Sequence, residues 1–174
     1  MTDLQELLEN DADFQAVYNV WDGARQGALT PHYQNIHLEQ LNRSVASLTI
    51  FDHYSRDDQR WSFVGSGTQQ FLDADLQGRN LYELVHANSL EMVKDFYEGI
   101  ASSPAVGFIK YSANLNNGLV SVRNGFAVPC QTSEAGLTKI IVLSKDESST
   151  GYKETDQPVI YGESPPEISL FTIR

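Results

Sequence analysis

The sequence predicts an α+β fold: a five-stranded antiparallel sheet with helices inserted between its second and third strands, behind an N-terminal helix. Three observations predict it. Residues 47–64 hold two runs of alternating polarity on either side of the polar turn 55–59, the pattern of a hairpin. Residues 66–101 change to helical spacing. Residues 106–144 return to strand-like runs, two of them joined at Asn117–Gly118. The stretch 60–84 organises the rest. Its strand carries Trp61 and Phe63 and breaks at Gly65 and Gly67. An amphipathic segment follows over 68–72, then a turn on Asp73, Asp75 and Gly78, and Leu81, Leu84 and Val85 close it at helical spacing.

In chain order, Leu4, Leu7 and Leu8 make a short helical stripe, and Asp11 or Asp13 caps a longer helix bearing Phe14, Val17, Tyr18 and Trp21. That helix ends near Gln26, with Gly27 as its C-terminal stop and Pro31 barring continuation. Its apolar face packs on the sheet or serves as a dimer contact. A weaker helical segment over 35–45 follows, with Ile36, Leu38, Leu41 and Val45. On the strand 47–54, Leu48, Ile50 and Asp52 share one face and Thr49, Phe51 and His53 the other. A helix begins at Ser89 with Asn88 as cap and Leu90, Val93, Phe96, Tyr97 and Ile100 as its stripe, ending at residues 102–104.

The last three strands are expected over 106–115, 119–129 and 137–144, the first two joined by a type I′ turn at Asn116, Asn117 and Gly118. From Lys145 the chain turns polar and aperiodic and reads as a linker. Its end regains Ile168, Leu170, Phe171 and Ile173, which need a surface to dock on, either this domain or a partner chain. The expected organisation is therefore an N-terminal helical segment (1–46), a sheet domain (47–147) and a linker with tail (148–174).

At 174 residues the chain is sized for one domain. Twelve basic residues against 23 acidic ones give a formal charge of −11, which repels phosphate backbones and anionic lipid. Neither nucleic-acid nor membrane binding is expected. Cys130 is the single cysteine, so no intramolecular disulfide forms. The acidic N-terminus does not read as a secretory signal and no apolar run is long enough to span a membrane, so the expected location is the cytoplasm.

The order of pieces (two strands, short helices, one longer helix, three strands) resembles a PAS domain. It is similar, more narrowly, to a family of short bacterial stand-alone PAS-like proteins. The residues that carry the resemblance are Trp21 with Gly27, Leu29 and Pro31; Phe63–Val64–Gly65; Thr68; Asp75–Leu76–Gln77–Gly78–Arg79 with Leu81 and Leu84; LTIFD at 48–52; and KIIVLS at 139–144. The resemblance covers residues 14–147. Where that family tends to have an arginine after the proline at Pro31, this chain has His32 and Tyr33. The resemblance implies a sensory or regulatory role and brings no catalytic residue with it.

Motif chemistry points the same way. His32 and His37 lie five apart across no helix face and lack the HExxH pattern of a zinc site. His86 is either a structural histidine or a ligand hydrogen-bonder. Flavin-binding PAS relatives carry their cysteine in a helical Asn-Cys-Arg motif, whereas Cys130 follows Pro129 at a strand end. Haem relatives use a histidine on the longer helix, and this one has none. Gly65–Ser66–Gly67 lacks the lysine of a phosphate loop, and no GxSxG elbow occurs.

The candidate pocket residues are Trp61, Phe63, Phe71, His86, Phe96, Tyr111, Arg123 and Phe126, with Tyr82 a further aromatic on the same inserts. Arg123 sits mid-strand: facing inward it would need an anionic ligand or a buried acid, and the expectation is that it faces solvent. Candidate dimer residues are Phe14, Val17, Tyr18 and Trp21. The leading expectation is a non-catalytic sensory domain that binds a small molecule, forms a homodimer, or both, and signals to a separate protein. One alternative is an interaction module with a filled pocket. The other is an enzyme of the ketosteroid-isomerase type, for which Asp52 would be the base.

Overall fold

The computed structural model describes residues 3–115, 117–153, 155 and 157–174, with Thr150 described by its backbone alone. Asp11 caps α2 (Ala12–Arg25) by accepting from the N–H groups of Asp13 and Phe14, and Gln26 ends it in the left-handed region just before Gly27. A short α1 (Leu4–Glu9) precedes it. The segment expected as a helix over 35–45 is instead a pair of 3-10 stretches, Tyr33–Asn35 and Leu38–Ser47, the second kinked at Asn42.

The two expected hairpin strands are β1 (Leu48–Ser55) and β2 (Asp58–Val64). The inserted layer then runs through α3 (Ser66–Leu72), a 3-10 turn at Leu81–Leu84 and α4 (Ala87–Ser102). Gly65 is required by crowding rather than by its backbone angles: a Cβ there would come within 2.5 Å of the Val45 and Ala46 carbonyl oxygens. The cap of α4 is His86, whose Nδ1 accepts from the Asn88 N–H, and not Asn88 as expected.

β3 (Ala105–Asn114), β4 (Leu119–Gln131) and β5 (Thr138–Tyr152) complete the core sheet in the order β2-β1-β5-β4-β3, every pairing antiparallel. With the helical layer inserted between β2 and β3, the fold is PAS-like. The Gly118 N–H bonds the Leu115 carbonyl and the Leu115 N–H bonds the Leu119 carbonyl. The β3–β4 loop therefore spans three residues, with Gly118 at φ 83° closing it, and not the two of a type I′ turn. Asn116 of that expected turn lies outside the described residues.

The end of the chain departs most from expectation. β5 continues through Tyr152, so the polar stretch read as a linker from Lys145 is strand for its first eight residues, held by pairing with β4 rather than by any apolar pattern of its own. The tail docks on its own domain: β6 (Val159–Ile160) and β7 (Glu167–Thr172) both pair with β3, so the sheet has seven strands among the described residues where five were expected.

Strand alternation divides the core into two layers. On the inner face, Phe51, Trp61, Ile109, Tyr111, Ala127, Ile140 and Val142 pack with Leu72, Leu81, Leu84, Val93, Phe96, Tyr97 and Ile100 of the inserted layer. On the outer face, Leu48, Ile50, Val106, Phe126, Val128, Ile141 and Leu143 pack with Leu8, Phe14, Val17 and Trp21. No helix among the described residues is long and apolar enough to cross a membrane.

Candidate functional site

Five of the eight sequence-proposed pocket residues meet on the inner side. Trp61, Phe96 and Tyr111 belong to the inner core, Phe71 packs on its margin, and Arg123 points in from β4. The other three do not join them. Phe63 is 39% exposed, because the β1–β2 register slips between Ile50 and Phe51 and turns Phe63 away from the face of Trp61. His86 serves as the helix cap. Phe126 is fully buried in the outer layer against Phe14 and Phe108, since it lies an odd number of residues from Arg123 on one strand.

The centre of the inner layer is aromatic. Phe51 lies against Trp61 with ring centroids 4.7 Å apart and against Tyr97 at 5.6 Å, and Phe96 packs edge-on to Tyr97 at 5.0 Å. The tail supplies a residue that the sequence reading missed. Tyr161 enters from beyond β6, stacks on Tyr111 at 4.4 Å and brings its hydroxyl to 2.5 Å from that of Tyr97. It does so at φ 69°, a left-handed conformation uncommon for a bulky side chain. Its carbonyl accepts from the His86 N–H, and the Ser89 hydroxyl donates to the Gly162 carbonyl, tying the tail to the start of α4. Burial pushes the phenol pKa of both Tyr97 and Tyr161 well up.

Arg123, expected at the surface, is 6% exposed. Its guanidinium carbon sits 4.0 Å from the centroid of the Phe71 ring, a close cation–π contact. Its Nη2 donates to the Ser144 carbonyl at 3.3 Å, and its Nε lies 3.7 Å from Asp146 Oδ1 with no hydrogen bond of its own. Asp146 accepts from the Ser121 hydroxyl, and the Tyr111 hydroxyl donates to Ser144 Oγ beside it. The other described buried side-chain nitrogens or oxygens lacking a hydrogen-bond partner are Gln59 Nε2, Trp61 Nε1, Thr68 Oγ1 and the Tyr82 hydroxyl. All five sit on β2, α3, the 81–84 turn or β4, the elements that build the inner layer. At its far end, His53 bridges Gln59 Oε1 and Glu98 Oε2, each at 3.0 Å, and so joins the hairpin to α4.

The outer layer takes up the residues suggested for a dimer. Phe14, Val17 and Trp21 are buried on the sheet of their own chain, with Trp21 1% exposed and its Nε1 donating to the Pro129 carbonyl at 2.7 Å; Tyr18 is half-buried beside Trp21. These side chains pack on the sheet of their own chain, one of the two uses the sequence allowed. Asp52 faces outward, paired with Lys139, and so does not face an apolar cavity as an enzymatic base would. Cys130 is fully buried in this layer, and burial raises its thiol pKa well above the usual range. His32 and His37 make separate local contacts, with Ser133 and Glu39, and no cluster of three or more metal-ligating residues occurs among the described residues.

No protein-family model matches the chain, and no curated protein matches it. Among solved structures it is similar to a fungal LOV domain photoreceptor, at 17% identity and a TM-score of 0.47, over 59% of this chain and 75% of that one. It is also similar to the PAS domain of an HTR-like protein from Haloarcula marismortui, at 16% identity and a TM-score of 0.43, over 57% of this chain and 80% of that one. Neither likeness is high enough to carry a function to this chain.

Proposed function

We propose that this PAS-like domain is a non-catalytic sensor that takes a small molecule against the inner face of its sheet and signals to a separate protein. One observation carries the proposal: among the described residues, the buried polar atoms left without a hydrogen bond, Gln59 Nε2, Trp61 Nε1, Thr68 Oγ1, the Tyr82 hydroxyl and Arg123 Nε, all sit on elements that build the inner layer. Leaving such an atom unpaired costs about 1–3 kcal/mol. Every one of them can donate, so a ligand acceptor oxygen that reaches any of them would recover that part of the cost. Self-association through α2 is left out of the proposal, because its apolar stripe is already spent on the sheet.

A second reading, an interaction module with no ligand, is favoured by the aromatic filling of the same layer, in which Tyr161 of the tail packs between Tyr111 and Tyr97. Mass spectrometry of the purified chain, native and then denatured, separates the two. The sensor predicts a small-molecule mass excess that disappears on denaturation. A bare chain that none of a set of metabolites stabilises against heat would favour the interaction module.

A further inference from the structure

We propose that Arg123 is the anchor of a carboxylate-binding site, and that the ligand class of this domain is a small organic acid carrying one carboxylate and an apolar body. The inference rests on the sensory reading above and names its ligand. A guanidinium this deeply buried needs a close counter-charge, because desolvation is costly unless the pairing geometry is good. Here the geometry is poor. The nearest carboxylate oxygen, Asp146 Oδ1, stands 3.7 Å from Nε, and the Asp146 side chain is itself 53% exposed. Asp146 also takes a hydrogen bond from Ser121 rather than from the arginine.

The free donor is Nε, on the edge of the guanidinium that also carries Nη2. Nε and Nη2 share that edge, so a carboxylate can take the free Nε–H and share Nη2 with the Ser144 carbonyl that it already serves at 3.3 Å. The Tyr111 hydroxyl on the neighbouring strand β3 and the Ser121 hydroxyl two residues earlier on β4 itself lie beside the arginine, and the Phe71 ring covers the guanidinium, giving an apolar body a surface to rest on. Asp146 is the displaceable occupant: half in solvent, it can swing outward when a ligand carboxylate takes its place. The formal charge of −11 repels a multiply charged anion more strongly than a singly charged one.

Thermal melting of the full chain with sodium benzoate, sodium acetate, neutral benzamide and inorganic phosphate tests this. Benzoate at a hundred-fold excess over its Kd should raise the melting temperature by roughly 5–10 °C. Benzamide should do little. The R123M variant, whose apolar side chain of similar length suits the buried site, should keep its fold and lose the benzoate effect. R123K keeps the charge without the fork and should retain only a small part of it. D146N removes the competing carboxylate and should bind benzoate more tightly than the wild type, an effect that a merely structural Arg123–Asp146 contact would not produce.

Equal stabilisation by benzoate and benzamide, unchanged in R123M, would overturn the carboxylate assignment while leaving the sensory reading standing. Stabilisation by phosphate alone would overturn it too. If no carboxylate stabilises the protein, the inference fails, and the mass spectrum described above decides separately whether the sensory reading fails with it.

Discussion

The hydroxyls of Tyr97 on α4 and Tyr161 in the tail lie 2.5 Å apart in the inner core, joining the longest helix to a residue 64 positions further along the chain. Tyr97→Phe or Tyr161→Phe alone leaves the other hydroxyl buried without its partner, and each should cost about 1–3 kcal/mol in denaturant unfolding. The double variant should cost clearly less than the sum of the two, since it leaves no orphan. Strict additivity would show that the contact contributes nothing.

The same pair sets an alkaline limit. Both phenols have folded-state pKa values raised above the ordinary value of 10.0, mainly by burial. Their contribution to stability is complete below the unfolded value and is lost as pH rises through the folded one. Stability measured by urea titration should therefore hold level up to about pH 10 and fall above it. In the double Phe variant the part of that fall due to this pair should be absent.

Trp21 is a core residue of the outer layer. Trp21→Ala removes the ring and its 2.7 Å bond to Pro129, and should destabilise the chain by about 3–5 kcal/mol. Val17→Asp buries a charge on the same face and should prevent folding. Size-exclusion chromatography combined with circular dichroism checks this. A folded Trp21→Ala monomer derived from a wild-type dimer would contradict it.

Lys145 bonds both Asp11, the cap of α2, and Asp13 in its first turn. The hydrogen bonds from Lys145 and then Ser44 hold the Asp13 carboxyl below its ordinary value of 3.8. That contribution is present above the unfolded value and is lost as pH falls through the folded one. Because the groups are partly solvated, Lys145→Ala should cost only about 0.5–1 kcal/mol at neutral pH. The deficit should shrink in 1 M salt and at acid pH, as calorimetry can measure.

Cys130 should be inert in the native state, since the thiolate is the reactive form and burial opposes it. A thiol-reactive chromogenic disulfide should modify it at the rate of unfolding, with full reaction in guanidinium. Rapid stoichiometric labelling of the folded protein would contradict the placement of Cys130 in the outer layer.

Periodicity made the order of elements readable. The Phe14, Val17 and Trp21 stripe marked α2, and the alternation of Leu48, Ile50 and Asp52 against Phe51 and His53 assigned both faces of β1 correctly. Pairing between distant segments left weaker traces. β5 beyond Ser144 is polar and becomes strand because β4 lies beside it, and nothing local in Val159–Ile160 announces Ala113 and Asn114 as its distant partners. Within the site, counting positions along β4 is enough to place Arg123 and Phe126 on opposite faces. Phe63 could not be placed this way, because the register slip beside it reverses the count. Arg123 was recognised as unusual from its neighbours, but its depth depends on Phe71, which arrives from a different part of the chain. Tyr161 carried almost no signal beyond the need of an apolar tail to be covered.

Lys145 and Asp146 are consecutive on β5 and look in opposite directions, one to the cap of α2 and the other to Arg123. A single peptide unit thus works like the pivot of a balance, with the interior hung on one arm and the first turn of the N-terminal helix on the other.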